Sequence, residues 1–308
     1  FRMRQRKELD YVHKNNEVQI WNTADKYIYP QAKEIEGWNI IAKRAFWEPQ
    51  TGRFLQFTDP KLPNGAAKGI SNYALTFNPQ DYEPQSNARG PSDIYITDLA
   101  TGNRKILLKK HIGTNLLASP GGKYISYFKE GNWCVYDVHK ESHTQINRSI
   151  GYPLNIENDM DEDEGYGNPG WTSGDDYLLI YDRYDIWKVL PDGSDAIRLT
   201  NGREKGIVYR IISESNSQKT LEDGRTYTSG LFNLKDGLVL KARSLDHFYN
   251  GIFQWDLKKG LSEICYTSKR ISTILRSKNN VFGWMEEDTD LPWQIKVKEP
   301  RSKETIVT

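Results

Sequence analysis

The chain has 308 residues, enough for one large domain or two modest ones. Its 42 basic and 41 acidic side chains leave a formal net charge of +1, without the basic excess that marks a nucleic-acid binder. No apolar run reaches the roughly 18–20 residues that a membrane-spanning helix needs, so no membrane span is expected.

The opening Arg2, Arg4, Arg6 and Lys7 read as a solvated terminus. Beyond it, helix punctuation is scarce and turn dipeptides recur, among them Gly121-Gly122, Asp192-Gly193 and Asp236-Gly237. The chain holds 9 Trp and 18 Tyr within an apolar share of only 37%. That combination suits many half-buried strands, each covering one face.

A unit of strand, polar turn and strand repeats along the chain. A weaker copy lies at 18–35, and clearer ones follow at 93–108, 132–147, 185–200, 251–267 and 292–308. In each, an alternating apolar run meets a short turn rich in Asp, Gly, Lys or Pro, then a second run, which predicts a hairpin. A further strand pair precedes several copies, at 116–132, 170–184 and 274–290. Four strands per unit, at intervals of about 40 to 65 residues, predict an all-β chain of four-stranded antiparallel β-propeller blades. Stacked sheets cover one another, so most of the Trp and Tyr are expected between blades. The material suffices for about five to six blades of a seven- or eight-bladed ring, with 1–308 as one propeller domain, partial or truncated at its N-terminus. The proline-rich stretch 60–91 and the segment 147–168 read as insertions.

A few residues are candidates for chemistry. Asp159, Asp161, Asp163 and Glu164 stand in an acidic loop whose alternating carboxylates suggest calcium. Glu164 and Gly170 occupy the sixth and twelfth positions where that loop type needs Gly and Glu, so a solvated loop attracting cationic amino groups is expected instead. Arg183 is a candidate for a substrate carboxylate, against a bracing role for the Asp182–Asp185 stretch. Glu286 and Glu287 form an acidic pair. The five histidines are scattered, Cys134 and Cys265 sit in strand-like runs as free thiols, and no Gly-rich phosphate loop opens a helix. No metal, no cofactor and no catalytic residue is expected.

Several segments together resemble the propeller of the prolyl oligopeptidase (S9) family of serine peptidases, in the dipeptidyl-peptidase-like form found in Bacteroidetes. The order is Ser119-Pro120-Gly121-Gly122-Lys123-Tyr124, then Trp133 to Val138, then the acidic loop, then the run from Tyr181 to Val189 with Pro191-Asp192-Gly193. The stretches 17–31 and 286–297 are similar too, whereas 60–91 and 213–230 contribute little. The resemblance implies a propeller that gates an α/β-hydrolase domain, admitting short peptides. No segment reads G-x-S-x-G, the nucleophile elbow of that domain. Since the chain starts at Phe1 and stops at Thr308, it is expected to be a piece of a larger protein, with the hydrolase domain following. The resemblance further implies an exported, periplasmic parent, possible as a homodimer, with short peptides and the hydrolase domain as partners. Relatives hold a substrate amino terminus with paired glutamates; Glu286 and Glu287 lie in a different setting, so that role is not carried over. The competing reading is a free-standing exported propeller that binds glycan or protein at one rim.

Overall fold

The computed structural model describes residues 2–3, 42–67, 72–84, 90–112, 116–156, 164–212 and 230–307. These contain β-strands and short 3₁₀ turns but no α-helix, and they divide between two compact units, with the boundary after Lys129. No helix among them is long and apolar enough to cross a membrane. The hairpin expected at 18–35 lies outside the described residues.

In the first unit, β1 (Arg2–Met3), β2 (Lys43–Glu48) and β3 (Arg53–Gln56) form one antiparallel sheet. A second sheet runs in sequence order through β4 (Asn64–Ala67), β5 (Tyr73–Phe77), β6 (Ser92–Asp98) and β7 (Arg104–His111). The stretch 60–91 is therefore no insertion: it supplies β4 and β5, half of a four-stranded sheet. Prolines at its ends and a first strand made of Asn64-Gly65-Ala66-Ala67 conceal this in the sequence. Gly65 is required there, because a Cβ on it would lie 2.7 Å from the Leu75 carbonyl oxygen. Phe57, Ala74 and Leu99, with Phe46 and Leu55 against them, make an apolar core in this unit. The pair β8 (Leu117–Ala118) and β9 (Tyr124–Lys129) completes it.

The second unit opens with the hairpin β10 (Asn132–Asp137) and β11 (Ser142–Gln145). Next comes the meander β12 (Gly170–Thr172), β13 (Leu178–Tyr181), β14 (Ile186–Val189) and β15 (Ala196–Arg198), to which β17 (Gly230–Phe232) adds in parallel beside β12. The following sheet has the order β16 (Ile207–Ile211), β18 (Leu238–Ser244), β19 (Asn250–Asp256), β20 (Gly260–Thr267). The last comprises β21 (Arg270–Arg276), β22 (Phe282–Asp288), β23 (Leu291–Lys298) and β24 (Thr305–Ile306). Antiparallel four-stranded meanders that follow one another along the chain are the blades of a β-propeller.

Strand alternation decides how these sheets stack. Leu238, Leu240 and Ala242 of β18 join Leu179, Tyr181, Ile186 and Leu199 of the preceding sheet in one core. Val239, on the opposite face of β18, joins Ile252, Cys265, Ile271, Phe282 and Trp284 in a second core with the following sheet. The middle sheet is thus covered on both faces, with Tyr209 against Phe253 edge to face at 5.2 Å. Trp133, Trp171 and Trp284 are among the largest fully buried side chains, which puts these aromatics in the core.

Candidate functional site

The site begins at the tight turn between β13 and β14, whose shape is set by two aspartates with no exposed surface. Asp182 accepts the backbone N–H groups of Tyr184 (2.7 Å) and Asp185 (2.6 Å) through Oδ1, and the Trp187 indole N–H (3.1 Å) through Oδ2. Arg203 Nη2 reaches the same Oδ2 at 3.1 Å. Asp185 accepts from the Thr200 hydroxyl at 2.7 Å and from the Gly202 N–H at 2.5 Å, and pairs with Arg198 Nε at 3.1 Å. Burial raises the Asp185 pKa above the usual carboxylate range, against those donors. Gly202 has to be glycine here, since a Cβ would meet the Ile207 carbonyl oxygen at 2.0 Å and Asp185 Oδ1 at 3.1 Å. The aspartates therefore brace the backbone, and Arg203 stacks on the Tyr152 ring at 3.9 Å.

Between them, Arg183 stands exposed at the tip of the turn, with its guanidinium 5.5 Å from the Tyr184 ring centroid. Its carbonyl oxygen and that of Asp182 lie 3.4 and 3.0 Å from Arg210 Nη2. Arg210 also donates to the Tyr209 carbonyl and lies over the Tyr181 ring at 4.5 Å. Burial lowers the Arg210 pKa, and neighbouring Arg243 pushes the same way. Tyr181 in turn accepts the Ile211 N–H on its hydroxyl, which ties β16 to β13.

β16 pairs with β18 so that Val208 faces Arg243 and Arg210 faces Lys241. These residues share one face of the ladder, the face that bears Val239 and is opposite to Leu240 and Ala242. Arg183, Arg210, Lys241 and Arg243 meet around a cleft of about 500 Å³. Tyr166, Val208 and Leu245 supply its less polar walls. The volume lies in the range of small-ligand sites, and the lining has four cations and no carboxylate. The charge of such a lining favours anions over cations, since guanidinium groups bind carboxylates through two parallel hydrogen bonds.

The other sequence candidates fall elsewhere. Asp159, Asp161 and Asp163 lie outside the described residues, while Glu164 is exposed and its carbonyl accepts the Ile156 N–H. Glu286 is 1% exposed and held by Lys296 (2.8 Å) and Lys269 (3.1 Å). Glu287, next along β22, points to the other face and pairs with Arg270 at 2.9 Å, so the two glutamates do not act on one ligand. Of the four candidates among the described residues, the structure brings Arg183 into the cleft, and joins to it Arg210, Lys241 and Arg243, which the sequence did not single out. Their only signal is the alternate spacing of Lys241 and Arg243 on one strand. Among the described residues, no group of three or more His, Cys, Asp or Glu is placed to hold a metal ion.

No protein-family model matches the chain, and no curated protein matches it. Solved structures do. A protein of Bacteroides ovatus assigned as a dipeptidyl aminopeptidase IV is similar at a TM-score of 0.48 and 12% identity, over 88% of this chain and 40% of that one. Prolyl oligopeptidase B of Galerina marginata is similar at 0.44 and 11%, over 84% of this chain and 38% of that one. TolB of Acinetobacter baumannii is similar at 0.37 and 10%, over 86% of this chain and 64% of that one. The chain thus spans about 40% of the length of the two peptidase structures.

Proposed function

We propose that this chain is the propeller of a serine peptidase of the prolyl oligopeptidase family, binding short peptides and controlling their access to a hydrolase domain elsewhere in the parent protein. The observation that carries the reading is the family-like segment order from Leu116 to Asn201. Its most specific part, Tyr181 to Val189, folds as the β13–β14 hairpin and presents Arg183 at the mouth of a ligand-sized cleft. In this reading the chain performs no hydrolysis itself. Its cleft offers cations and hydrogen-bond donors, which position a ligand, and the nucleophile belongs to the parent's other domain. Export to the periplasm accompanies the same reading.

The experiment is to express the product of the parent reading frame and treat it with a fluorophosphonate serine probe. Labelling of a serine in a G-x-S-x-G segment, lost when that serine is replaced by alanine, is the expected result. A parent that carries no such segment and takes no label overturns the reading, and the free-standing propeller replaces it.

A further inference from the structure

The β16–β18 ladder carries a charge arrangement that strand pairing does not account for. Arg210 stands directly opposite Lys241, and Arg243 follows on the same face. Like charges facing each other across an antiparallel pair are unfavourable, with Cβ atoms about 5 Å apart. Arg183 brings a fourth cation from the neighbouring turn. Arg198 pairs with Asp185 and Glu204, and Arg203 pairs with Asp182. Among the described residues, the cations of the cleft have no carboxylate within ion-pair distance, and Arg210 spends its donors on backbone carbonyls.

We infer that the cleft is a binding site for an acidic peptide segment carrying two or more carboxylates. The inference deepens the peptide reading above and rests on it. The charge count sets the ligand: a single carboxylate would leave most of the cationic charge uncompensated, whereas adjacent Asp or Glu side chains can each engage a separate guanidinium. Tyr166, Val208 and Leu245 give the methylene stems and main chain of such a segment an apolar wall. A long polyanion such as nucleic acid fits poorly, because the chain as a whole carries a formal charge of only +1.

The test uses the full chain and a fluorescent tetrapeptide with two central Glu residues, blocked at both ends, beside its counterpart with two Gln. Blocking both ends restricts the charge to the side chains, and an unblocked Gln peptide reports any contribution from a terminal carboxylate. The Glu peptide is expected to bind about tenfold or more tightly than either Gln peptide, and Arg243→Gln and Lys241→Gln each to weaken it about tenfold. Lys241→Gln is also expected to raise the melting temperature, since it removes an opposed like charge, so its loss of binding will not be a loss of fold. Equal affinity for the Glu and blocked Gln peptides overturns the inference, as does tight binding unchanged in both variants. So does tighter binding of the unblocked Gln peptide, of inorganic phosphate, or of an acidic oligosaccharide. A parent that fails to react with the fluorophosphonate while this chain still shows the Glu preference and its dependence on Arg243 removes the peptidase reading and leaves the acidic-peptide site standing.

Discussion

Asp185 shows how much of this structure rests on single buried polar groups. Its carboxylate meets the Thr200 hydroxyl, the N–H groups of Gly202 and Arg203, and the Arg198 guanidinium with no surface exposed to water. Asp185→Ala leaves the Thr200, Gly202 and Arg203 donors without their acceptor and Arg198 with Glu204 as its remaining carboxylate, so a loss of about 3 kcal/mol is expected from urea unfolding midpoints. A variant as stable as the parent would show that Asp182 alone holds the turn. Glu286 makes a different, pH-dependent contribution. Burial opposes its ionisation, but Lys296 and Lys269 outweigh that and hold its pKa below the ordinary carboxylate value. A depressed pKa in the folded state means stability that is present above the unfolded value, about 4.3, and lost as pH falls through the folded value. Thermal melts between about pH 3 and 6 should therefore show a slope that Glu286→Gln reduces; an unchanged slope would place the acid sensitivity in other carboxylates.

Three hairpins turn in the same way. Asp98, Asp137 and Asp256 each end a strand, and each carboxylate accepts the N–H groups two and three residues on. Four residues after the aspartate the backbone takes a positive φ: 77° at Gly102, 53° at Glu141 and 69° at Gly260. The side-chain turn satisfies the backbone where the ladder stops, and the left-handed residue reverses the chain. Two of the three use glycine, which adopts that conformation without steric cost, whereas Glu141 does not have that freedom. Glu141→Gly should accordingly stabilise the β10–β11 hairpin by about 1 kcal/mol, read as a higher melting temperature. A lower one would mean that the Glu141 side chain contributes more than its backbone costs. A second backbone constraint joins β12 to β17. Gly170 faces Gly230 across their parallel pair, and a Cβ on Gly170 would lie 2.2 Å from the Gly230 carbonyl oxygen. The fifth strand of that sheet depends on this glycine contact.

Across the molecule, charge is almost balanced, with a formal net of +1, yet its distribution is uneven around the cleft. A binding site of that kind acts at short range, and its strength depends on salt because the Debye length is about 10 Å at 0.1 M. Affinity for the acidic tetrapeptide should fall severalfold between about 50 and 500 mM sodium chloride. Affinity that ignores salt would point to recognition by the apolar wall instead.

Much of the fold was legible in the sequence because a strand pair closed by a short turn is a local event. The hairpins at 93–108, 132–147, 185–200, 251–267 and 292–308 announced themselves through alternation and through Asp and Gly in the turns, and all five are strand pairs in the structure. β4 and β5 show no apolar alternation: β4 is a strand of Asn, Gly and Ala that owes its place to pairing with β5, and β5 is buried at every position. Arg183 could be singled out from a charged turn, but nothing local indicated whether it met a ligand or its neighbours. Pairing between β16 and β18 sets Arg210 opposite Lys241, 31 residues on, and Val208 opposite Arg243, 35 residues on, a non-local event that no short window contains. The repeating hairpins follow from local sequence, because backbone preference and burial pattern act over a few residues. Which cations share a cleft, and that Glu286 and not Glu287 is buried in ion pairs, depends on strand register and on which face of each sheet its neighbour covers.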